Sequence, residues 1–271
     1  IFATGSSAFD LRNKTGEPLV GRSQIFRLFP FSSKELHPDF ISFKTNLPER
    51  LIYGSYPEIV TAGSEMQMAE LLNAIRDAYL LKDILALDNL KDSRFVISLL
   101  RYLAYQIGND VSSHELAKNL GVNRLTILRY LDLLEKSYII FSIGAFSRNL
   151  RNEISRSSRY FFWDNGIRNS IISNYNQLNI RNDEGQLWEN YFISERMKRN
   201  FYLKEDASFY FWRTYDQKEI DLIEEKNGNL TAIEIKYSKS NAKCPVSFRD
   251  AYPDAEFMVI NQNNAFDMLR F

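Results

Sequence analysis

Several residue types that define common classes of protein are scarce in this sequence. Its 271 residues include one cysteine, Cys244, which excludes an intramolecular disulfide framework. There are only two histidines, His37 and His114, so a zinc site built from cysteine and histidine is not expected. Any metal ion that the protein binds should therefore be held by oxygen ligands.

Long apolar runs and an excess of either charge are also missing. No stretch approaches the roughly 18 apolar residues of a transmembrane helix, and the first residues lack the pattern of a signal peptide. We therefore expect a cytoplasmic protein with no membrane contact. Lysine plus arginine and aspartate plus glutamate each number 34, so only local basic patches could favour nucleic-acid binding.

The overall composition is that of an ordinary globular protein. Apolar residues make up 45% and charged residues 25% of the chain, and its length suits two or three domains. The sequence opens at Ile1 without a methionine, inside what looks like a buried strand. We interpret the chain as the C-terminal part of a longer protein.

The first 37 residues resemble the end of a nucleotide-binding core. Residues 4–7, 19–22 and 28–31 resemble the sensor segment and last core strand of prokaryotic P-loop ATPases of the AAA+ group. The resemblance implies that Ser6 or Ser7 senses the γ-phosphate of ATP and that Arg22 reaches a phosphate. No glycine-rich phosphate loop occurs in this sequence, so the chain alone should not hydrolyse ATP. Alternatively, these residues form turns and Arg22 is a surface charge.

We predict a helical lid at residues 38–93. Between residues 66 and 90, apolar residues recur at helical spacing, which indicates one long amphipathic helix. The residues that carry this spacing are Met68, Leu71, Leu72, Ile75, Tyr79 and Leu80.

Residues 94–163 have the pattern of a winged helix. Helices are predicted at 94–106, at 114–119 with Ser113 as the N-cap, and at 123–136, with wing strands at 138–146 and 159–163. The third helix is expected to bury Leu125, Leu128, Leu131 and Leu134.

Basic residues of this winged helix are candidates for DNA contact. They lie on the exposed face of the third helix and in the wing, where they could hold a phosphate backbone. The candidates are Arg124, Arg129, Arg148, Arg151 and Arg156. The alternative is a packing module that contacts only its own chain.

After residue 163 the periodicity predicts the order αβββαβ. The elements are a helix at 184–199, strands at 208–214, 219–225 and 230–237, a helix at 246–252 and a strand at 256–261. This is the core order of the restriction-endonuclease-like fold. The fold class expected for the chain is multidomain α/β: an ATPase-core remnant at 1–37, a lid at 38–93, a winged helix at 94–163 and a nuclease-like domain at 164–271.

The hairpin between the second and third of these strands fixes which side chains face each other. Asn227 and Gly228 suit a two-residue type I′ turn, in which both positions need positive φ. Counting back along both strands from this turn places Asp221 opposite Glu234. The apolar residues expected to share the other face are Ile220, Leu222, Ile233 and Ile235.

Two opposed acids beside a lysine favour a metal site. Directly opposed side chains lie about 4.5–5.5 Å apart at Cβ, so Asp221 and Glu234 would repel each other without a cation. Carboxylates suit Mg²⁺ or Mn²⁺. Lys236 would then orient or deprotonate the attacking water, or stabilise charge on a phosphate. The alternative is that Lys236 only neutralises the acids.

This pattern resembles the metal-dependent nucleases of the PD-(D/E)xK superfamily. Residues 219–223 and 233–236 resemble the Asp and Glu-x-Lys half-motifs, without the usual proline before the aspartate. The resemblance implies that the catalytic residues are Asp221, Glu234, Lys236 and Glu189, the three acids being metal ligands. Glu184 and Glu195 are alternatives to Glu189.

Nearly the whole sequence is similar to one prokaryotic family. Motifs at 53–58, 79–84 and 160–168, the winged helix and the nuclease-like end occur in this order in ATP-binding proteins that join an N-terminal AAA+ domain to a C-terminal domain of uncharacterised function. The resemblance implies ATP binding in the full-length protein. We expect a DNA nuclease that uses Mg²⁺ or Mn²⁺; the alternative is a non-catalytic module that binds nucleic acid or a protein in an ATP-driven switch.

Overall fold

The computed structural model describes residues 26–81, 93–147, 158–214, 216–238 and 241–270. Two groups of predicted site residues lie outside these ranges, so their roles stay predictions. They are Ser6, Ser7 and Arg22, and Arg148, Arg151 and Arg156.

Many helices of the described part begin at a capping side chain. Ser32, Asp39, Ser64, Asn123 and Asp164 each accept a hydrogen bond from a backbone N–H of the turn that follows. The helices are α1 (Ser33–Leu36), α2 (Phe40–Tyr53), α3 (Pro57–Val60), α4 (Glu65–Ile75), α5 (Ser93–Tyr105), α6 (Ser113–Leu120), α7 (Arg124–Lys136), α8 (Asn165–Ile171), α9 (Glu184–Leu203), α10 (Val246–Ala251) and α11 (Ala265–Leu269).

Two predicted helix features changed. Ser113 is not an N-cap: it is the first residue of α6, and Ser112 occupies the cap position. The predicted lid helix begins as α4 but becomes a π-helix at Arg76–Leu81, and its predicted continuation lies beyond the described range.

One seven-stranded mixed sheet runs through the described part in the order β1-β3-β2-β4-β5-β6-β7. Its strands are β1 (Asp110–Val111), β2 (Ile140–Ala145), β3 (Ser158–Phe162), β4 (Ala207–Arg213), β5 (Glu219–Lys226), β6 (Asn229–Ile235) and β7 (Glu256–Ile260). The pairs β2–β4 and β6–β7 are parallel and the others antiparallel. The predicted αβββαβ order is confirmed from α9 to β7.

The parallel pair β2–β4 joins the antiparallel pair β2–β3 to the strands that follow α9. Gly144 pairs with Tyr210 and Ala145 with Phe211, and the N–H of Phe146 donates to the carbonyl of Phe211 at 2.6 Å. The sheet therefore crosses the boundary that we predicted between residues 163 and 164.

Apolar side chains pack on both faces of this sheet. A large core contains Trp188 and Phe192 of α9 together with Leu222, whereas a smaller core contains Phe248 of α10 together with Ile223. Leu222 and Ile223 are consecutive in β5, so the two cores lie on opposite faces.

Helix α8 is buried where α2, α4, α5 and α9 meet. Asp164 accepts hydrogen bonds from the N–H groups of Ser55 (2.7 Å) and Ile167 (3.1 Å). Arg168 donates to the carbonyl of Ala104 and pairs with Asp183. Both charged residues thus hold packed elements together.

The helices and strands predicted between residues 94 and 163 are present, but α7 presents a different face than predicted. Leu125 and Leu128 are 77% and 38% exposed, and so the prediction that both are buried is wrong. The buried residues are Ile127, Tyr130, Leu131, Leu133 and Leu134. A run of leucines spaced by three drifts around a helix of 3.6 residues per turn, whereas residues 127, 130, 131 and 134 stay on one side.

Candidate functional site

The register of the β5–β6 hairpin is as predicted. Asn227 and Gly228 both have positive φ, at 53° and 80°, and Lys226 pairs with Asn229. The paired register continues to Leu222 and Ile233, one step before Asp221 and Glu234.

Asp221 ends the backbone ladder with its side chain. The N–H of Ile235 donates to Asp221 Oδ2 at 2.8 Å, while the next N–H, of Lys236, turns to β7 and donates to the carbonyl of Ile260. The carboxylate thus takes the place of a backbone acceptor where the two strands stop pairing. This hydrogen bond fixes the position of Asp221.

A β-bulge sets the direction of Asp221. In the β4–β5 pair, Tyr210 faces Ile223 and Trp212 faces Ile220, so Phe211 alone is opposed by both Asp221 and Leu222. Because β5 has one extra residue at this point, its side chains before the bulge point to the opposite faces of the sheet from those that regular alternation would give them. Ile220 therefore packs in the smaller core, and our prediction that it shares a face with Leu222 is wrong.

The bulge turns Asp221 towards α9, on the same side as Leu222. Glu189 projects from α9 into this space, and its Oε1 is buried without a hydrogen-bond partner among the described residues. Burial and the charge of Asp221 raise the pKa of Glu189 well above its usual value. A buried acid beside a second acid is a place where a cation would be stabilised.

Lys236 lies between Asp221 and Glu234. Its Nζ is 2.6 Å from Glu234 Oε1 and 3.8 Å from Asp221 Oδ2. Burial opposes protonation of Lys236, but Asp221 and Glu234 outweigh it and raise the lysine pKa above its usual value. The pKa of Asp221 is raised by burial, and that of Glu234 by burial and by the charge of Asp221.

A second charged group adjoins these acids. Arg159 of β3 is 3% exposed, and it donates to Asp110 Oδ1 at 2.9 Å and to Glu219 Oε2 at 2.8 Å. Its guanidinium carbon lies 4.4 Å from the ring centre of Phe211. Arg213 donates to the other oxygen of Asp110 at 2.9 Å.

Sequence reasoning missed most of this group. Arg159 begins a strand that we predicted for the wing, and it is buried because β3 lies between β1 and β2 in the sheet. Asp110 carries no sequence signal at all, since its partners Arg159 and Arg213 are distant in the chain. Only the even charge count hinted that many basic residues would be paired.

Of the alternatives to Glu189, Glu195 belongs to another part of the molecule. It pairs with Lys198 at 2.8 Å and accepts the N–H of Ser33, so it ties the N-terminal side of the chain to α9. Glu189 is the acid of α9 that faces Asp221.

The acids of this site can be compared with the ligands that the expected Mg²⁺ or Mn²⁺ ion requires. Within the described ranges, no three carboxylate, histidine or cysteine side chains are grouped closely enough to hold one ion together. Mg²⁺, however, commonly keeps several waters and binds through one or two carboxylates. One or two of the acids Asp221, Glu234 and Glu189, together with water, could therefore hold a hydrated divalent cation, but the three do not enclose one.

The described candidates for DNA contact lie on α7, away from these acids in sequence. Arg124 and Arg129 are both exposed, and Arg124 Nε donates to Ser113 Oγ of α6 at 2.9 Å. This side chain is thereby held against α6.

Two family models match the chain. A model described as a domain of unknown function (DUF8612) matches residues 44–182, and a second, also a domain of unknown function (DUF4143), matches residues 184–269. The two matches meet at the first residue of α9.

Proteins of similar sequence occur in bacteria and archaea. They include uncharacterized proteins of Haemophilus influenzae (26% identity over 253 residues), Mycobacterium tuberculosis (26% over 255) and Methanocaldococcus jannaschii (24% over 285). These matches cover 88%, 93% and 96% of this chain but 59%, 55% and 61% of the relatives. The chain thus spans little more than half the length of these relatives.

Among solved structures, protein VC1899 from Vibrio cholerae aligns with 76% of this chain and 47% of its own, at 14% identity and a TM-score of 0.21. This score is too low to bear on fold or function. No helix in the described part is both long and apolar enough to cross a membrane. Because the first family model covers more than half of the 271 residues, the protein belongs to the family described as the domain of unknown function DUF8612.

Proposed function

We propose that this chain is the nucleic-acid-cleaving part of a larger protein and cuts DNA with the help of Mg²⁺ or Mn²⁺. The observation that carries the proposal is the bulge at Asp221, which aims this acid at Glu189 while Lys236 and Glu234 stay within reach. The strand order β4-β5-β6-β7, with a parallel last pair, supports the nuclease-like fold.

In this proposal, one or two of the acids Asp221, Glu234 and Glu189 would hold the cation directly, and water would complete its ligands. A divalent ion supplies charge stabilisation at a phosphate and makes bound water a better nucleophile. Without a metal, the neighbouring acids raise the pKa of Lys236. As a cation it would orient the attacking water and stabilise negative charge on the phosphate; as a neutral amine it would deprotonate that water.

DNA binding and ATP belong to the same proposal. Arg124 and Arg129 of the exposed α7 surface, with the wing arginines, would hold the phosphate backbone. In a full-length protein with an N-terminal AAA+ domain, ATP binding would act on this part. The greater length of the relatives leaves room for such a domain.

Cleavage of DNA by the chain in Mg²⁺ or Mn²⁺ tests the proposal. Lys236→Ala should lower the cleavage rate at least about 100-fold, because it removes a cation placed at the reacting phosphate. Lys226→Ala is the matched control: Lys226 ends the same strand as Asp221, is 47% exposed and pairs with Glu205. Equal rates in both variants and the wild type, or no cleavage of any single- or double-stranded substrate, would contradict nuclease activity.

A non-catalytic module is the second candidate function. It is favoured by the 2.6 Å pairing of Lys236 with Glu234, which neutralises one acid without a metal, and by the absence of a three-ligand group within the described ranges. Titration calorimetry separates the two. Heat from Mg²⁺ or Mn²⁺ that disappears in Glu234→Gln supports the nuclease, and DNA binding without metal binding supports the module.

A further inference from the structure

A cleft opens where strands β2 and β4 stop pairing. After Ala145 and Phe211 the two parallel strands share one more hydrogen bond, from Phe146 N–H, while β4 continues to Arg213. The space beyond has a volume of about 570 Å³ and lies at the carboxyl ends of both strands. Such ends are common ligand sites in sheets with parallel strands, and the volume suits a small ligand group.

Aromatic rings line one side of the cleft. Phe146 and Trp212 are each 7% exposed, and Tyr252 is half-buried. The rings support one another, with centroid distances of 5.1 Å between Phe146 and Tyr252 and 5.1 Å between Trp212 and Phe248. They form a firm apolar wall next to open space.

Hydrogen-bonding and charged groups line the other side. Arg213, Asp110, Thr214 and Gln217 contribute here, and the side chains of Arg213 and Asp110 are 34% and 21% exposed. Asp110 also binds Arg159, so Arg213 can exchange this partner for a phosphate without leaving Asp110 unpaired. One cleft therefore combines flat rings, hydrogen-bonding groups and an available cation.

The cleft lies near the acidic site. Arg213 pairs with Glu219 in the β4–β5 register, and Asp221 lies two residues further along β5. Two residues of a strand span about 7 Å, so a nucleic-acid strand held in the cleft would lie close to Asp221.

We propose that this cleft binds an unstacked base of a single nucleic-acid strand and so makes the protein prefer single-stranded substrate. This inference rests on the proposed function, because it names the strand that the acidic site would cut. An aromatic wall recognises the face of a base, and base faces are accessible only in an unpaired, unstacked strand. The phosphate next to the bound base would meet Arg213 on its way to Asp221.

Binding of a fluorescent oligothymidylate in EDTA tests the inference without cleavage. Tyr252→Leu should weaken binding about tenfold, as expected for the loss of one stacking ring, and Tyr252→Phe should bind like the wild type. Arg213→Gln should lower the salt dependence of binding by about one ion. Quenching of tryptophan fluorescence on binding, absent in Trp212→Phe, would place the strand at this cleft.

Arg199→Gln is the matched control, because Arg199 pairs with Glu205 at 3.0 Å but lies at the other end of the sheet. Arg199→Gln should leave binding of the strand unchanged. The inference is overturned if Tyr252→Leu and Arg213→Gln bind the strand with affinities within twofold of the wild type, provided that thermal melting shows both variants to be folded. It is also overturned if the annealed duplex or thymidine monophosphate binds as well as the strand. If Tyr252→Leu fails to fold, the affinity and salt dependence of strand binding by Arg213→Gln decide the test.

The two proposals can fail separately. Strand binding that depends on Tyr252, with no cleavage, would support the binding role of the cleft and reject nuclease activity. Cleavage that depends on Lys236, together with strand binding that does not depend on Tyr252, would support the nuclease and reject the role of the cleft.

Discussion

A buried histidine, His37, links the stability of the protein to pH at the scale of one residue. His37 is 5% exposed, and its Nε2 has no hydrogen-bond partner within the described part of the chain. Burial and the charge of Arg50 lower its pKa from 6.5 to about 4. An unfolded chain would therefore take up a proton on this residue at a higher pH than the folded one.

The sign of the pH effect follows from this difference. Between pH 6.5 and about 4 the unfolded state binds more protons, so the free energy of unfolding falls as the pH falls through that window and levels off below it. A shift of this size corresponds to a loss on the order of 3 kcal/mol. Urea unfolding at several pH values should show this loss in the wild type and its removal in His37→Gln.

His114 provides the control for that experiment, since it is exposed on α6. His114→Gln should keep the pH dependence of the wild type. Identical pH profiles for His37→Gln and the wild type would show that other groups cause the acid sensitivity.

Individual residues of the candidate site were predictable to different extents. The Asn227-Gly228 turn was sufficient to place Asp221 and Glu234 near each other, because a two-residue turn fixes the register of both strands. The direction of Asp221 was not predictable, since a bulge depends on the pairing of β5 with β4. The roles of Asp221, Glu234, Lys236 and Glu189 as catalytic residues stay predictions.

At the scale of elements, helix α8 depends on a glycine for its packing. A Cβ atom on Gly166 would lie 2.1 Å from the carbonyl oxygen of Tyr53, which belongs to the backbone of α2. Gly166→Ala should therefore destabilise the protein by about 3 kcal/mol, because α2 and α8 would have to separate. Urea unfolding measures this loss.

Gly185 of α9 is the matched control. It is exposed, and a Cβ atom there would meet nothing within 4 Å. Gly185→Ala should leave stability unchanged or raise it by up to about 1 kcal/mol, the gain in helix propensity. A loss in Gly166→Ala no greater than in Gly185→Ala would contradict the close contact of the two helices.

Elements were predicted best where periodicity and caps agree. The strands β4 to β7 have a clear sequence pattern, and Asn123, the predicted start of the third winged-helix helix, is the N-cap of α7. The exposed face of α7 was predicted wrongly because Leu125 and Leu128 are apolar yet lie off its buried stripe. Spacing alone does not tell which of two overlapping apolar stripes faces the core.

At the scale of the whole molecule, the large core crosses the limits of both matched families. Trp188 and Phe192 of α9 pack in one cluster with Phe161 and Phe162 of β3. The side chain of Asn190 also bonds the N–H and carbonyl of Phe162, at 2.7 and 2.9 Å. The residues after 183 therefore rely on earlier residues to cover α9.

We accordingly expect one cooperative unfolding transition for the described part of the chain. Calorimetry, tryptophan fluorescence and circular dichroism should give the same midpoint. A fragment of residues 184–271 should lack a folded core, because α9 would expose the ring of Trp188, which is 0% exposed here. A cooperative melt of that fragment alone would show instead that it is an independent domain.

The short parallel pair between β2 and β4 also has a mechanical consequence. Its last hydrogen bond, from the N–H of Phe146, is accepted by the carbonyl of Phe211, the residue that opposes the bulge at Asp221. The strand pair β2–β3 is therefore connected to Asp221 through a single neighbouring strand, β4. A change in the position of β2 would act directly on the residue that sets the direction of this acid.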